Sequence, residues 1–515
     1  MPGTWTTINA PAGFNADLIL LLTDGSLLVH NGFVTNVNDA SQWRRFTPDS
    51  HGKYETGTWS GILNMHTARQ WFASGVLKDG RVYAIGGEHT NDPASPTDSP
   101  LAEIFDPQTN LWSPLTKPAA FDFIRGDCNG TMLADGRVLL GGPDTAGGPP
   151  STWPTRTAIW DPANGAWVEA GLKFGGVAVT TKTDSFEEET FALLPRGEVL
   201  APAVRDTPKA QRYVPSLDEW VDCAPSPVNL AITTLKGVTV FETGPTVVLP
   251  DGTAFVIGGT GQTAIFTPDP NAVGPGSWVK GPDFPNDTSA APNWPRLTAL
   301  DAPAALLPNG KVVLLAGTTE PDAGDFFSRN PVFLEFDPHS GAAVLPKLDV
   351  QPTSPAIPSV NFTWQSCFQI LPTGQLLCSD QSPTLFVYTP DPAAGAPHDS
   401  WRPAHIEVPH KMKPGHSYKL EGTQLNGLSQ GAGYGDDAGM ATNYPLVQLR
   451  QEVTHHVVYC RSHHFSTMGI ATGRRNPQDR QSCTIDVPAA APHGHYKLHV
   501  IANGIASEHV TVEIG

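Results

Sequence analysis

The sequence predicts an all-β chain, with a seven-bladed β-propeller over residues 1–405 and an immunoglobulin-like β-sandwich over 406–515. Three observations carry that expectation. Glycine and proline take 50 positions each among 515, a share suited to short strands joined by turns. One hairpin phrase recurs seven times at near-constant spacing. After the last copy the pattern changes to short alternating strands, and no helix longer than a turn or two is legible anywhere.

The repeated phrase is an apolar run, a turn ending in Gly, and a second apolar run. It reads LILLLTDGSLLVHNG from residue 18, FASGVLKDGRVYAIGG from 72 and NGTMLADGRVLLGG from 129. The remaining copies are FALLPRGEVLAPA, TVVLPDGTAFVIGG, PAALLPNGKVVLLAG and CFQILPTGQLLCSD. The turn glycines are Gly25, Gly80, Gly136, Gly197, Gly252, Gly310 and Gly374, separated by 55, 56, 61, 55, 58 and 64 residues. Each phrase reads as two strands joined where Gly supplies a positive φ.

A second phrase follows each first one: an aromatic strand ending near Pro, then a strand bearing Trp. Examples are AEIFDPQTNLW, TAIWDPANGAW and QRYVPSLDEW; the last blade's FVYTPDP is followed by Trp401. Two strands plus two strands make a four-stranded blade, and seven blades close into a ring that hides sheet edges. The pattern is of kelch type. GTWTTI at 3–8 is a lone Trp strand, expected to complete the last blade. HSYKLEGTQL, YPLVQLR, HHVVYCR, QSCTIDV, HYKLHVIANG and EHVTVEI supply the sandwich strands.

Charge narrows the partners. The net charge is −18, which repels phosphate backbones and argues against nucleic acid. No apolar run near the start approaches a membrane span, and no basic-then-apolar leader is present, so no membrane partner is expected. Six cysteines without metal-like spacing read as reduced thiols of a cytoplasmic protein. The oligomeric state is not legible.

With seven such blades and a C-terminal sandwich, the chain resembles the galactose oxidase and glyoxal oxidase superfamily over nearly its whole length. YGDDAGMATNYPLV at 434–447 and YCRSHHFSTMGIATG at 459–473 resemble a bacterial branch of it. Oxidases of that superfamily hold one copper with two Tyr and two His, one Tyr being cross-linked to Cys. By the resemblance, the cross-linked Tyr lies nine residues before a turn Gly; here that position before Gly80 is Trp71. The Cys position before Gly25 is Ala16, and the second Tyr and its neighbouring His correspond to Trp364 and Gln365. The last His matches His463 in Ser462-His463-His464-Phe465. One ligand of four survives. Trp is no copper ligand and an amide oxygen is a poor one, so no copper-radical cofactor is expected.

In a propeller the segments entering the innermost strands line one mouth of the axial channel. Nine or ten residues before each turn Gly stand Ala16 beside Asp17, Trp71, Asp127, Glu188, Glu242, Asp301, and Trp364 with Gln365. Five blades thus offer a carboxylate in a chain only 16% charged. Three chemistries suit the set. Carboxylates with separated pKa values can act as acid and base on a saccharide or polar small molecule, with His463 completing the site. They can hold Ca²⁺ or Mg²⁺. They can bind a cationic amine, with Trp71 and Trp364 giving cation–π contact. Arg69 and Arg125 flank the set, and Gln365 is placed to orient a ligand. The plain alternative is that the acids only bond turn backbone and these arginines. A non-catalytic binding module is the rival class. Adjacent histidines such as His463 and His464 are expected on opposite strand faces, unable to share a metal.

Overall fold

The structure, a computed structural model, describes residues 3–32, 36–95, 97–126, 128–142, 156–171, 173–174, 177–178, 182, 184, 189–235, 238–271, 273–286, 296–319, 328–352, 362–434, 438–472 and 479–515. Seven radial sheets form the predicted propeller. Their innermost strands are Ala16–Leu21, Ala73–Val76, Asn129–Met132, Ala192–Leu193, Thr246–Val248, Ala304–Leu306 and Cys367–Ile370. Each touches the next, and the seventh touches the first, so the ring is closed. Packed face to face, the blades leave these strands almost no polar surface, which is why the hairpin phrases read as continuous apolar runs. All seven turn glycines have φ between 76° and 94°, where a side chain would be strained.

The second phrase has a direct structural meaning. Its aromatic and its Trp stand opposite each other on the third and fourth strands of a blade. The pairs are Phe105 and Trp112, Trp160 and Trp167, Tyr213 and Trp220, and Phe266 and Trp278. Their ring centroids lie 4.9–5.9 Å apart. Cross-strand aromatic pairs of this kind are worth about 0.5–1.5 kcal/mol each beyond their buried area.

Blade seven obtains its fourth strand from the start of the chain. Thr4–Asn9 pairs antiparallel with Thr384–Thr389, placing Trp5 opposite Tyr388. Trp401 is therefore not the blade-seven partner. Its ring instead covers the blade-six turn, 2.6 Å from where a Cβ on Gly310 would stand. Among the described residues, the blade-six sheet has three strands. Its edge is covered by the following segment, with Glu335 N donating to Pro346 O at 3.0 Å and Leu348 N to Phe333 O at 2.9 Å.

The C-terminal strands form one curled sheet folded into two layers. Val457–His463 belongs to both. Its first half pairs with Leu446–Gln451 and its second half with Gln481–Asp486. This sandwich docks on the turn end of the propeller, so His463 is not brought to the mouth to complete the site as expected. Tyr444 Oη donates to Leu21 O, Arg461 Nη2 to Asp79 O and Met468 N to Ala134 O. The Tyr459 ring lies where a Cβ on Gly25 would be. The physical reason is burial: the turns offer backbone carbonyls to the sandwich, and the core of blades one to three continues into it.

From the sandwich, the hairpin Gly431–Tyr434 and Ala438–Ala441 enters the ring. Its first strand adds to the inner edge of blade five, Thr246 opposite Gly433 and Val247 opposite Ala432. Its second touches the innermost strands of blades one, two and seven. Among the described residues, no helix is long and apolar enough to cross a membrane.

Candidate functional site

At the mouth the blades are stitched by polar contacts between successive inner-strand entries. Asp17 is the centre of one cluster. Its Oδ1 accepts from Gln381 Nε2 at 3.3 Å and its Oδ2 from Gln70 Nε2 at 3.4 Å. His30 Nδ1 lies 3.4 Å from the same Oδ2, and Ser379 Oγ donates to the Asp17 carbonyl at 2.5 Å. One carboxylate thus ties blades seven, one and two. Farther round, Asp301 N donates to Thr243 O at 3.3 Å, and Thr363 Oγ1 to Leu300 O at 2.6 Å. These contacts join blades five, six and seven.

Trp71 and Trp364 come together as the mouth reading expects. They meet edge to face with centroids 5.4 Å apart. His89 packs against Trp71 at 4.9 Å, and Phe362 stacks on Trp364 at 5.7 Å. Trp71, His89 and Asp301 have φ of 45°, 43° and 49°. A bulky side chain in that left-handed region costs free energy, and such strain gathers at functional sites. Beneath the indoles, Asp17, His30, Phe72 and Cys367 help line a cavity of about 10 Å³, room for no more than one water.

The other candidates divide. Glu242 ends the strand Val238–Glu242, half-buried and opposite Ile232, and Asp301 is buried in the ring contact above. Asp127 and Glu188 lie outside the described residues. Gln365 does not reach toward a ligand: its Oε1 accepts from Phe362 N at 3.3 Å, capping its own turn. Arg69 is fully buried, 3.3 Å from Glu103 and 3.4 Å from Ala84 O. Burial pushes its guanidinium pKa down, with Glu103 opposing. Arg125 is spent on Asp122 O at 2.7 Å and Ser95 Oγ at 2.9 Å. Gln365 and Arg125 thus bond their own turn or a neighbouring loop, whereas Arg69 is enclosed by blade-two strands, its Nε and Nη1 left without a hydrogen-bond partner among the described residues.

His463 stands at the opposite end of the propeller. Its strand neighbour Ser462 donates its N–H to Thr23 O at 3.2 Å, in the blade-one turn, and Phe465 N donates to Lys78 O in the blade-two turn. The match in Ser462-His463-His464-Phe465 is local, whereas the docking face of the sandwich decides where the ring goes. His30 and Gln381 are the mouth residues that the turn-glycine ruler misses. The available signal for His30 was a histidine directly after the apolar run at 27–29, in a strand that is buried throughout. Among the described residues, no three His, Cys, Asp or Glu side chains converge into a set that could hold a metal ion. A cavity of about 600 Å³ lies instead between blades four and five at the turn end, where Arg196 is already committed to Glu198 and to backbone carbonyls.

No family model matches the chain, and no curated protein matches it. Among solved structures it is similar to a fungal alcohol oxidase of the AA5 family in complex with copper, at 16% identity, a TM-score of 0.52 and full coverage of both chains. Weaker similarity links it to YjhT, at 12% identity and a TM-score of 0.38, covering 64% of this chain and 97% of that one. A third structure is YCF48 from Cyanidioschyzon merolae, at 10% identity and a TM-score of 0.43, covering 75% of this chain and 98% of that one. The first of these shows a shared fold: a propeller of the galactose-oxidase-like kind.

Proposed function

We propose that this chain is a galactose-oxidase-like propeller enzyme that acts on a polar small molecule or saccharide at its axial mouth, without a copper-radical site. The observation that carries this reading is the Trp71–Trp364 pair. Two indoles meet where the resemblance expects redox phenols, and Trp71 is held there in a strained backbone conformation. Indole faces offer stacking to a sugar ring and no electron pair to a metal. Glu242 and Asp301, with Asp127 and Glu188, would supply acid, base or Ca²⁺/Mg²⁺ ligation.

Copper loading tests the first half. Full-length protein dialysed against Cu²⁺ and oxidised is expected to give no phenoxyl radical spectrum; such a spectrum overturns the reading. Ligand screening tests the second half. A saccharide or polyol that raises Tm is expected to lose at least tenfold in affinity with Trp71→Ala and with Trp364→Ala. Unchanged affinity in both variants places binding elsewhere.

A non-catalytic binding module is favoured by one observation: the Asp17 carboxylate is already surrounded by side-chain donors and stitches blades rather than waiting for a substrate. Glu242→Gln and Asp301→Asn separate the two. Loss of turnover with retained ligand affinity supports an enzyme, and no turnover in the parent with affinity unchanged supports the module.

A further inference from the structure

The histidine pair on the docking face has a geometry that regular strands forbid. The strand Val457–His463 ends at His463, and His464 takes φ 52°. That left-handed residue turns both rings to one side, correcting the expectation of opposite faces. Their centroids lie 4.5 Å apart, and the two Nδ1 atoms face each other at 2.5 Å. On the far side of its ring, His463 Nε2 lies 3.1 Å from Asp486 Oδ2. Asp486 is itself fixed by Ser417 Oγ at 2.6 Å and Arg461 Nη1 at 3.1 Å.

A carboxylate 3.1 Å away favours the tautomer with its proton on His463 Nε2, though the contact is not aligned as a hydrogen bond, and that tautomer presents a lone pair at Nδ1. That lone pair points at the Nδ1 of a second, solvent-exposed imidazole. A carboxylate behind a histidine, with the free nitrogen aimed outward, is the arrangement that orients metal-ligating imidazoles. We propose that His463 and His464 chelate one divalent transition ion, Zn²⁺ or Ni²⁺, through their Nδ1 atoms, with Asp486 positioning His463. Metal–nitrogen bonds of about 2.0–2.1 Å require the nitrogens to part by somewhat under 1 Å, which rotation of the exposed His464 ring supplies. No third side-chain ligand converges among the described residues, so water completes the coordination. The site lies at the seam between the sandwich and the blade-two turn, away from the mouth. It stands independently of the proposed function.

Calorimetric titration of the full chain with ZnCl₂ and with NiCl₂ tests it, after removal of metal with EDTA. One equivalent is expected to bind. His464→Ala, at an exposed position, is expected to weaken binding at least roughly tenfold without changing the Tm of the metal-free protein. Asp486→Asn is expected to weaken it by about tenfold, the usual size of an outer-partner loss. Imidazole nitrogen signals of both histidines should shift on Zn²⁺ addition. Stoichiometric binding that survives His464→Ala overturns the assignment, because the metal then sits on other histidines. Absence of binding near 1 mM metal also overturns it, leaving a pair that shares only a proton.

Discussion

At the scale of single residues, Gly25 shows how closely propeller and sandwich fit. Gly25 has φ 76°, and a Cβ there would stand 2.6 Å from the Tyr459 ring. Gly25→Ala combines backbone strain with a clash across the seam, and about 2–4 kcal/mol of destabilisation is expected in urea denaturation. His499 gives a pH signature. Burial holds its imidazole below its ordinary pKa, with the Ser507 carbonyl and nearby Glu508 opposing. The unfolded ring therefore takes up a proton more readily than the folded one. Its contribution is intact above the unfolded value, about 6.5, and is lost as pH falls below it. Tm is expected to drop from pH 7 to pH 5, and His499→Gln should flatten part of that drop. Counting back from the turn glycines selected Trp71 and Trp364, whose rings the structure brings together, and Asp301, which it places in a contact between blades. It misassigned Arg69, Arg125 and Gln365 because position along a strand does not reveal a side chain's partner. It misplaced His463 because no local motif encodes which face of one domain meets the other.

Strands and turns were the most legible features, for a physical reason. A buried inner hairpin must be apolar on both faces and must turn on glycine, so the constraint is written seven times. The fourth strand of a blade is marked only by its Trp, and there the reading could slip from Trp5 to Trp401. Trp5 lies 4.9 Å from Phe333 and 5.0 Å from Tyr388, and its Nε1 donates to Val350 O at 2.9 Å. Trp5→Ala removes these contacts from the strand that closes the ring. A loss of about 3 kcal/mol is expected, read as a lowered urea midpoint with an unchanged slope.

For the molecule as a whole, the sandwich and the propeller share one core. The hairpin between Gly431 and Ala441 fills the axis and pairs with the inner edge of blade five. A fragment ending at residue 405 would expose that edge and the core residues that the sandwich covers. It is expected to be insoluble or to bind hydrophobic dyes, whereas the full chain should unfold in a single transition followed by two spectroscopic probes. The ring's closure also sets a timetable for biosynthesis. Thr4–Asn9 is synthesised well before its partner Thr384–Thr389, which follows only after nearly the whole propeller has been made. At about 5–20 residues per second that interval is roughly 20–75 s. Throughout it the nascent chain carries an unmated β-strand, so ribosome-associated chaperones have a defined window in which to shield it.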